Sequence, residues 1–176
     1  MDGQLKETTS MEYYNDVRSA IKSYLEKYKE DTYSDIPLDE HPALVCERDG
    51  RYFVLEEGSA LSVGPVSVIT EDTIRRCGNA VAAVHIHGCR SCSSMPSIED
   101  AEMFSIADYV CVASCGKVTC YRRFPLNLYS DVKVRGFSET VPVLLAVNGQ
   151  VVIGSADVYD IEECSGFEDY VAFEVE

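Results

Sequence analysis

Residues 81–84, Val-Ala-Ala-Val, form a short, wholly apolar segment that runs directly into His85-Ile86-His87. A run of this length and character belongs to a strand buried on both faces of a sheet. A buried strand that ends in two imidazoles carries polar side chains to one edge of that sheet. Two of the chain's three histidines lie there.

The flanking text supplies the elements such a strand needs. Tyr14, Val17, Ile21, Tyr24 and Tyr28 recur at helical spacing with Leu25 beside them, which predicts an amphipathic helix over 11–30. Ser34-Asp35-Ile36-Pro37 breaks it. Residues 43–46 and 52–55 flank Arg48-Asp49-Gly50 and read as a hairpin, and residues 63–69 as a third strand. Thr70, followed by Glu71 and Asp72, opens a helix to about residue 79. Ser97 and Asp100 open another, to about Ala107. Residues 109–113 and 117–122 form a second hairpin around Ser114-Cys115-Gly116. Beyond Pro125 the pattern turns to strand, with 141–147 and 151–154 facing each other across Asn148-Gly149. Residues 157–169 read as acidic and exposed, and 170–175 as a last strand. Interleaved strands and helices define an α/β (α+β) fold, a mixed β-sheet flanked by helices. The expected division is a core over 1–125 and a β-rich C-terminal extension over 126–176, packed on the same domain.

The net charge of −15 over 176 residues repels phosphate and weighs against a nucleic-acid partner, while it suits a basic protein substrate or partner. No run is long enough for a membrane span. The amino terminus, Met-Asp-Gly-Gln-Leu-Lys-Glu, lacks the character of a secretory signal, and the expectation is a soluble, cytoplasmic protein. Its eight cysteines (46, 77, 89, 92, 111, 115, 120, 164) form no evenly spaced framework, so free thiols are expected. In the second hairpin Cys111 and Cys120 would lie opposite each other, either as small apolar core side chains or as a cross-strand disulfide.

His85, His87 and Asp100 are complementary metal-ligand positions, two from a strand end and one from the first turn of a helix. Zinc in hydrolytic sites takes three such ligands and keeps a fourth position for water, which it acidifies. A base must then carry the water's proton. Ser97-x-x-Asp100 also has a plainer meaning, a helix capping box with Asp in place of Glu or Gln. Ser97 can cap the helix and still present its hydroxyl to the site.

The stretch His85-x-His87…Pro96-Ser97-x-x-Asp100, with Glu40 in Asp39-Glu40-His41-Pro42-Ala43, resembles the signature of the JAMM/MPN+ metalloprotease family over roughly residues 10–125. The resemblance implies a JAMM/MPN (cytidine-deaminase-like) core and one Zn2+ held by His85, His87 and Asp100. It implies Glu40 as general acid/base and Ser97 as oxyanion stabiliser. It also implies a ubiquitin-like or sulfur-carrier protein as substrate, cut after its C-terminal glycine by a zinc-activated water. Gly88 stands where the family usually has Pro, and the loop between His87 and Ser97 is longer than the family's.

That loop holds Cys89-x-x-Cys92, which reads as a zinc half-site, a pair of reactive thiols, or a disulfide stiffening the rim. A zinc deaminase is disfavoured because no H-x-E precedes the cysteines. Two other function classes stay open: a non-catalytic MPN-type scaffold, and a Cys-based metal or redox sensor.

Overall fold

The computed structural model describes residues 11–58, 69–90, 93–123, 128–134, 140–145, 151–152, 161–163 and 167–176. It is a mixed α+β protein built on a six-stranded mixed sheet. The first helix, α1 (Val17–Tyr28), starts later than its periodicity predicts. Asp16 caps it, accepting a hydrogen bond of 2.7 Å from the Ser19 amide.

Next come β1 (Ala43–Arg48) and β2 (Arg51–Glu56), the expected hairpin. Helix α2 (Glu71–Cys77) is capped by Thr70, and β3 (Ala80–Ile86) extends two residues beyond the apolar run, taking His85 inside the strand. Helix α3 (Ile98–Glu102) is shorter than expected and gives way to a 3-10 turn over Met103–Ser105. The second hairpin is β4 (Tyr109–Ser114) and β5 (Lys117–Arg122). Its turn residues, Cys115 (φ 52) and Gly116 (φ 79), both lie in the left-handed region, as a tight two-residue hairpin turn requires.

Strands β6 (Leu128–Val134), β7 (Thr140–Leu145), β8 (Val151–Val152) and β9 (Ile161–Glu163) form a second, four-stranded sheet ordered β8-β7-β6-β9. The last strand, β10 (Val171–Val175), returns to the first sheet and pairs with β5. The six-stranded sheet therefore draws on both sides of residue 125. The predicted strand over 63–69 and the Asn148-Gly149 turn lie outside the described residues, apart from Ile69, which is in no strand. Phe167 is buried, within a stretch expected to be exposed.

The sheet order is β10-β5-β4-β3-β1-β2, so β3 has β1 antiparallel on one edge and β4 parallel on the other. Alternation along β3 sorts its side chains by face. Ala82, Val84 and Ile86 pack with Ala20, Ile21, Tyr24 and Leu25 of α1. Ala83 packs on the other face with Leu44, Phe53 and Cys77. His85 shares the parity of Ala83 and so stands on the face away from α1.

Among the described residues, three disulfides correct the expectation of free thiols: Cys46–Cys77, Cys89–Cys115 and Cys111–Cys120. The first ties α2 to β1. The last joins residues paired across β4 and β5, so these two cysteines are a bonded cross-strand pair. Cys89 pairs with Cys115, not with Cys92, which lies outside the described residues. Among the described residues no helix is long and apolar enough to cross a membrane.

Ile21 is fully buried where α1 meets the sheet. Ile21→Ala is expected to lower the unfolding free energy by about 2–5 kcal/mol through lost burial and the cavity left behind. Urea denaturation with an unchanged slope checks it.

Candidate metal centre

The site forms where three chain segments meet at the end of β3. The backbone amide of Ile86 donates to the carbonyl of Glu40 (2.9 Å), prolonging the β1–β3 pairing past the start of β1. On the other edge, the amide of His87 donates to the carbonyl of Ala113 (3.0 Å), prolonging the β3–β4 pairing. Tyr24 of α1 anchors the Glu40 segment, its hydroxyl donating to the carbonyl of His41 at 2.7 Å. These main-chain bonds bring Glu40, His85 and His87 together, with one ligand atom from each within 4.8 Å of the others.

Asp100 completes the cluster. Its Oδ1 lies 3.0 Å from His85 Nε2 and its Oδ2 lies 3.1 Å from His87 Nε2. The two Nε2 atoms are 2.8 Å apart. Four-coordinate zinc at about 2.0–2.1 Å from nitrogen separates its donors by roughly 3.3 Å. The two nitrogens are 2.8 Å apart and each meets a different oxygen of Asp100, at 3.0 and 3.1 Å, separations close to those between donors around one divalent cation.

The same carboxylate closes a capping box. Asp100 Oδ2 accepts from the Ser97 amide (2.6 Å), and Ser97 Oγ accepts from the Asp100 amide (3.1 Å). The capping reading and the ligand reading of Ser97-x-x-Asp100 are compatible, because the carboxylate has two oxygens and more than one lone pair on each. His87 Nδ1 sits 2.8 Å from the carbonyl of Ser93. A carbonyl can only accept, so Nδ1 carries the hydrogen, and in the neutral ring Nε2 offers its lone pair inward.

The electrostatics follow from burial and crowding. Burial opposes charge on Asp100, yet the pull of His85 and hydrogen bonds from both imidazoles hold its carboxyl well below the ordinary value. Burial likewise opposes a proton on His87. The bond to Asp100, the Asp100 charge, the Ser93 carbonyl and Glu40 outweigh it and raise the imidazole above its usual value. Burial raises the carboxyl of Glu40 against the opposing charges of His85 and His87, and Asp100 and Asp39 add to the rise. Glu40 Oε2 is buried and has no hydrogen-bond partner among the described residues. A buried, unpartnered carboxylate oxygen is costly unless a proton or cation meets it.

The loop after His87 is held against the segment that follows α1. Cys89 N donates to the carbonyl of Ser34 (2.8 Å), and Arg90 Nε to that of Asp35 (3.2 Å). A Cβ at position 88 would collide with the Asp35 carbonyl, which accounts for glycine there in place of a ring. The Cys89–Cys115 bond fastens the loop to the β4–β5 turn. Cys89 is therefore a rim residue through Cys115. Ser93 and Cys115 escape sequence reasoning, Ser93 because it acts through its carbonyl and Cys115 because its partner is 26 residues away. His41 is stacked on Tyr28 between Asp31 and Asp39, apart from this cluster.

The fold and site define a mixed α+β protein with a candidate His/His/carboxylate cation site. No protein-family model, curated protein or solved structure matches the chain.

Two outcomes are expected. Gly88→Ala lowers stability and perturbs the loop, since its contact is with backbone that cannot swing away. Thermal denaturation and the histidine ring resonances check it. Divalent-cation affinity falls as pH falls, because a cation must displace the His87 proton. The raised imidazole means that the fall begins above pH 6.5, at about tenfold per pH unit for each proton displaced. Competition titration across pH 5–9 reads this.

Proposed function

We propose that this chain is a zinc-dependent peptidase or isopeptidase of the JAMM/MPN+ type. It cuts after the C-terminal glycine of a ubiquitin-like or sulfur-carrier protein. The observation that carries the reading is the meeting of Glu40, His85 and His87 at the end of β3, against Asp100. The order of the described elements supports it too: hairpin, helix, buried strand, paired histidines, capped helix, hairpin.

His85, His87 and Asp100 would hold one zinc. A donor set of two imidazoles and a carboxylate suits hydrolytic zinc, and the unpartnered Glu40 oxygen beside it suits a site that receives a cation and a water. When bound, zinc acidifies water and polarises a carbonyl. Glu40, its carboxyl raised by burial, takes the proton of the attacking water and passes it to the leaving amine. Ser97 Oγ accepts from the Asp100 amide and keeps its hydroxyl hydrogen, which this reading assigns to the developing oxyanion.

One observation favours a second reading. His85 and His87 each lie within hydrogen-bond distance of one Asp100 oxygen, contacts that a non-catalytic MPN-type scaffold would keep as a structural ion-pair network. A Cys89/Cys92 thiolate site is a poorer fit, because Cys89 is bonded to Cys115.

Metal content and cleavage of a ubiquitin-like fusion decide between them. Wild type is expected to carry one zinc. His85→Ala with His87→Ala, and Asp100→Ala, are expected to lose it. Glu40→Gln is expected to keep the zinc and lose about 10²–10⁴-fold in cleavage rate. Zinc lost with Glu40→Gln but kept in Asp100→Ala would make Glu40 the ligand. A wild-type protein without zinc or activity would leave the scaffold.

A further inference from the structure

Three of the four large apolar side chains exposed among the described residues lie within one six-residue segment: Tyr33 (58%), Ile36 (72%) and Leu38 (94%). Single exposed apolar residues need no explanation, but three within six residues of one another do. This group is not a loose loop. The Thr32 carbonyl accepts from Cys115 N (2.7 Å), Thr32 Oγ1 accepts from Gly116 N (2.9 Å), and the Ser34 carbonyl accepts from Cys89 N (2.8 Å). Its backbone is bonded to both loops that rim the candidate metal centre. Two residues beyond Leu38 it delivers Glu40 into the site. Tyr33 lies over Gly116 of the β4–β5 turn, and Ile36 and Leu38 are exposed beyond it, beside the cluster.

The charges around them point one way. After Lys29, residues 30–39 carry Glu30, Asp31, Asp35 and Asp39 with no lysine or arginine. Glu30, Asp31 and Asp35 are exposed, and Asp31 and Asp39 flank His41. Arg90 reaches the segment through the Asp35 carbonyl. An apolar strip in an acidic frame is complementary to an apolar patch ringed by lysine and arginine.

We infer that Tyr33, Ile36 and Leu38 form the docking strip for the folded body of the protein substrate, a surface whose apolar patch is bordered by basic residues. This rests on the peptidase reading and deepens it. The strip grips the substrate's body while the tail occupies the metal centre. Buried apolar anchors supply most of the affinity, and the acidic frame supplies orientation and encounter rate.

The test separates docking from chemistry. The probe is a ubiquitin-fold protein whose apolar patch is flanked by Lys and Arg. It is titrated calorimetrically into Glu40→Gln protein, with and without Ile36→Ser and Leu38→Ser. Both positions are exposed, and circular dichroism confirms that the variants fold. Binding is expected to weaken at least about tenfold with the strip substituted, the loss of an apolar anchor. In parallel, a short peptide spanning the probe's tail is offered to protein with Glu40 intact, and its cleavage is expected to be unchanged by the strip substitutions. Equal probe affinity with and without the strip, or no binding by either protein, overturns the docking inference. A peptide left uncut by protein with Glu40 intact overturns the peptidase reading, whatever the probe does.

Discussion

Asp100 holds the end of β3 to the start of α3, and the arrangement of the candidate site depends on that carboxylate. One oxygen meets His85, and the other meets both His87 and the amide of Ser97. A buried carboxylate with these partners stays ionised, and breaking up such a set leaves an uncompensated charge. The crossover from β3 to β4 is thereby pinned at the point where it leaves the sheet. Helix capping and the approach of the carboxylate to the imidazoles are set together, because α3 cannot start elsewhere without moving the carboxylate away from them.

The surrounding loops follow from that pin. The Ser93 carbonyl accepts from His87 Nδ1 and fixes the ring with Nε2 turned towards Asp100. The Cys89–Cys115 bond and the contact of Gly88 with the Asp35 carbonyl hold the loop after His87 against two other segments. Thr32 is buried beside the β4–β5 turn, while Tyr33, Ile36 and Leu38 stay exposed next to the site and do not enter the core. Disulfides are usual in oxidising compartments and in thermophile cytosols, and here they staple the elements around β3.

Much of this was readable in the chain. The apolar run 81–84, the helical spacing of Val17, Ile21 and Tyr24, and the Thr70 and Ser97 caps each act locally, through burial or through bonds a few residues apart. The paired histidines and the Ser97-x-x-Asp100 spacing are local in the same sense. The cysteine pairs were not readable, apart from the facing positions of Cys111 and Cys120 in a hairpin. Cys46–Cys77 and Cys89–Cys115 join residues 31 and 26 apart, and spacing alone does not choose among eight thiols. The membership of β10 in the first sheet was likewise hidden, since a final alternating segment does not name its neighbour.

By itself the sequence determined the elements, the burial of β3 and the supply of imidazole and carboxylate groups near one strand end, because periodicity, capping and apolar runs act over a few residues. Only the tertiary structure decided that Glu40, 45 residues before His85, stands beside it, through one main-chain bond from Ile86 to Glu40. It also decided which cysteines bond and which apolar side chains stay exposed. Those outcomes depend on strand order and on which backbones meet, and contacts between distant segments are set by the packing of the whole sheet.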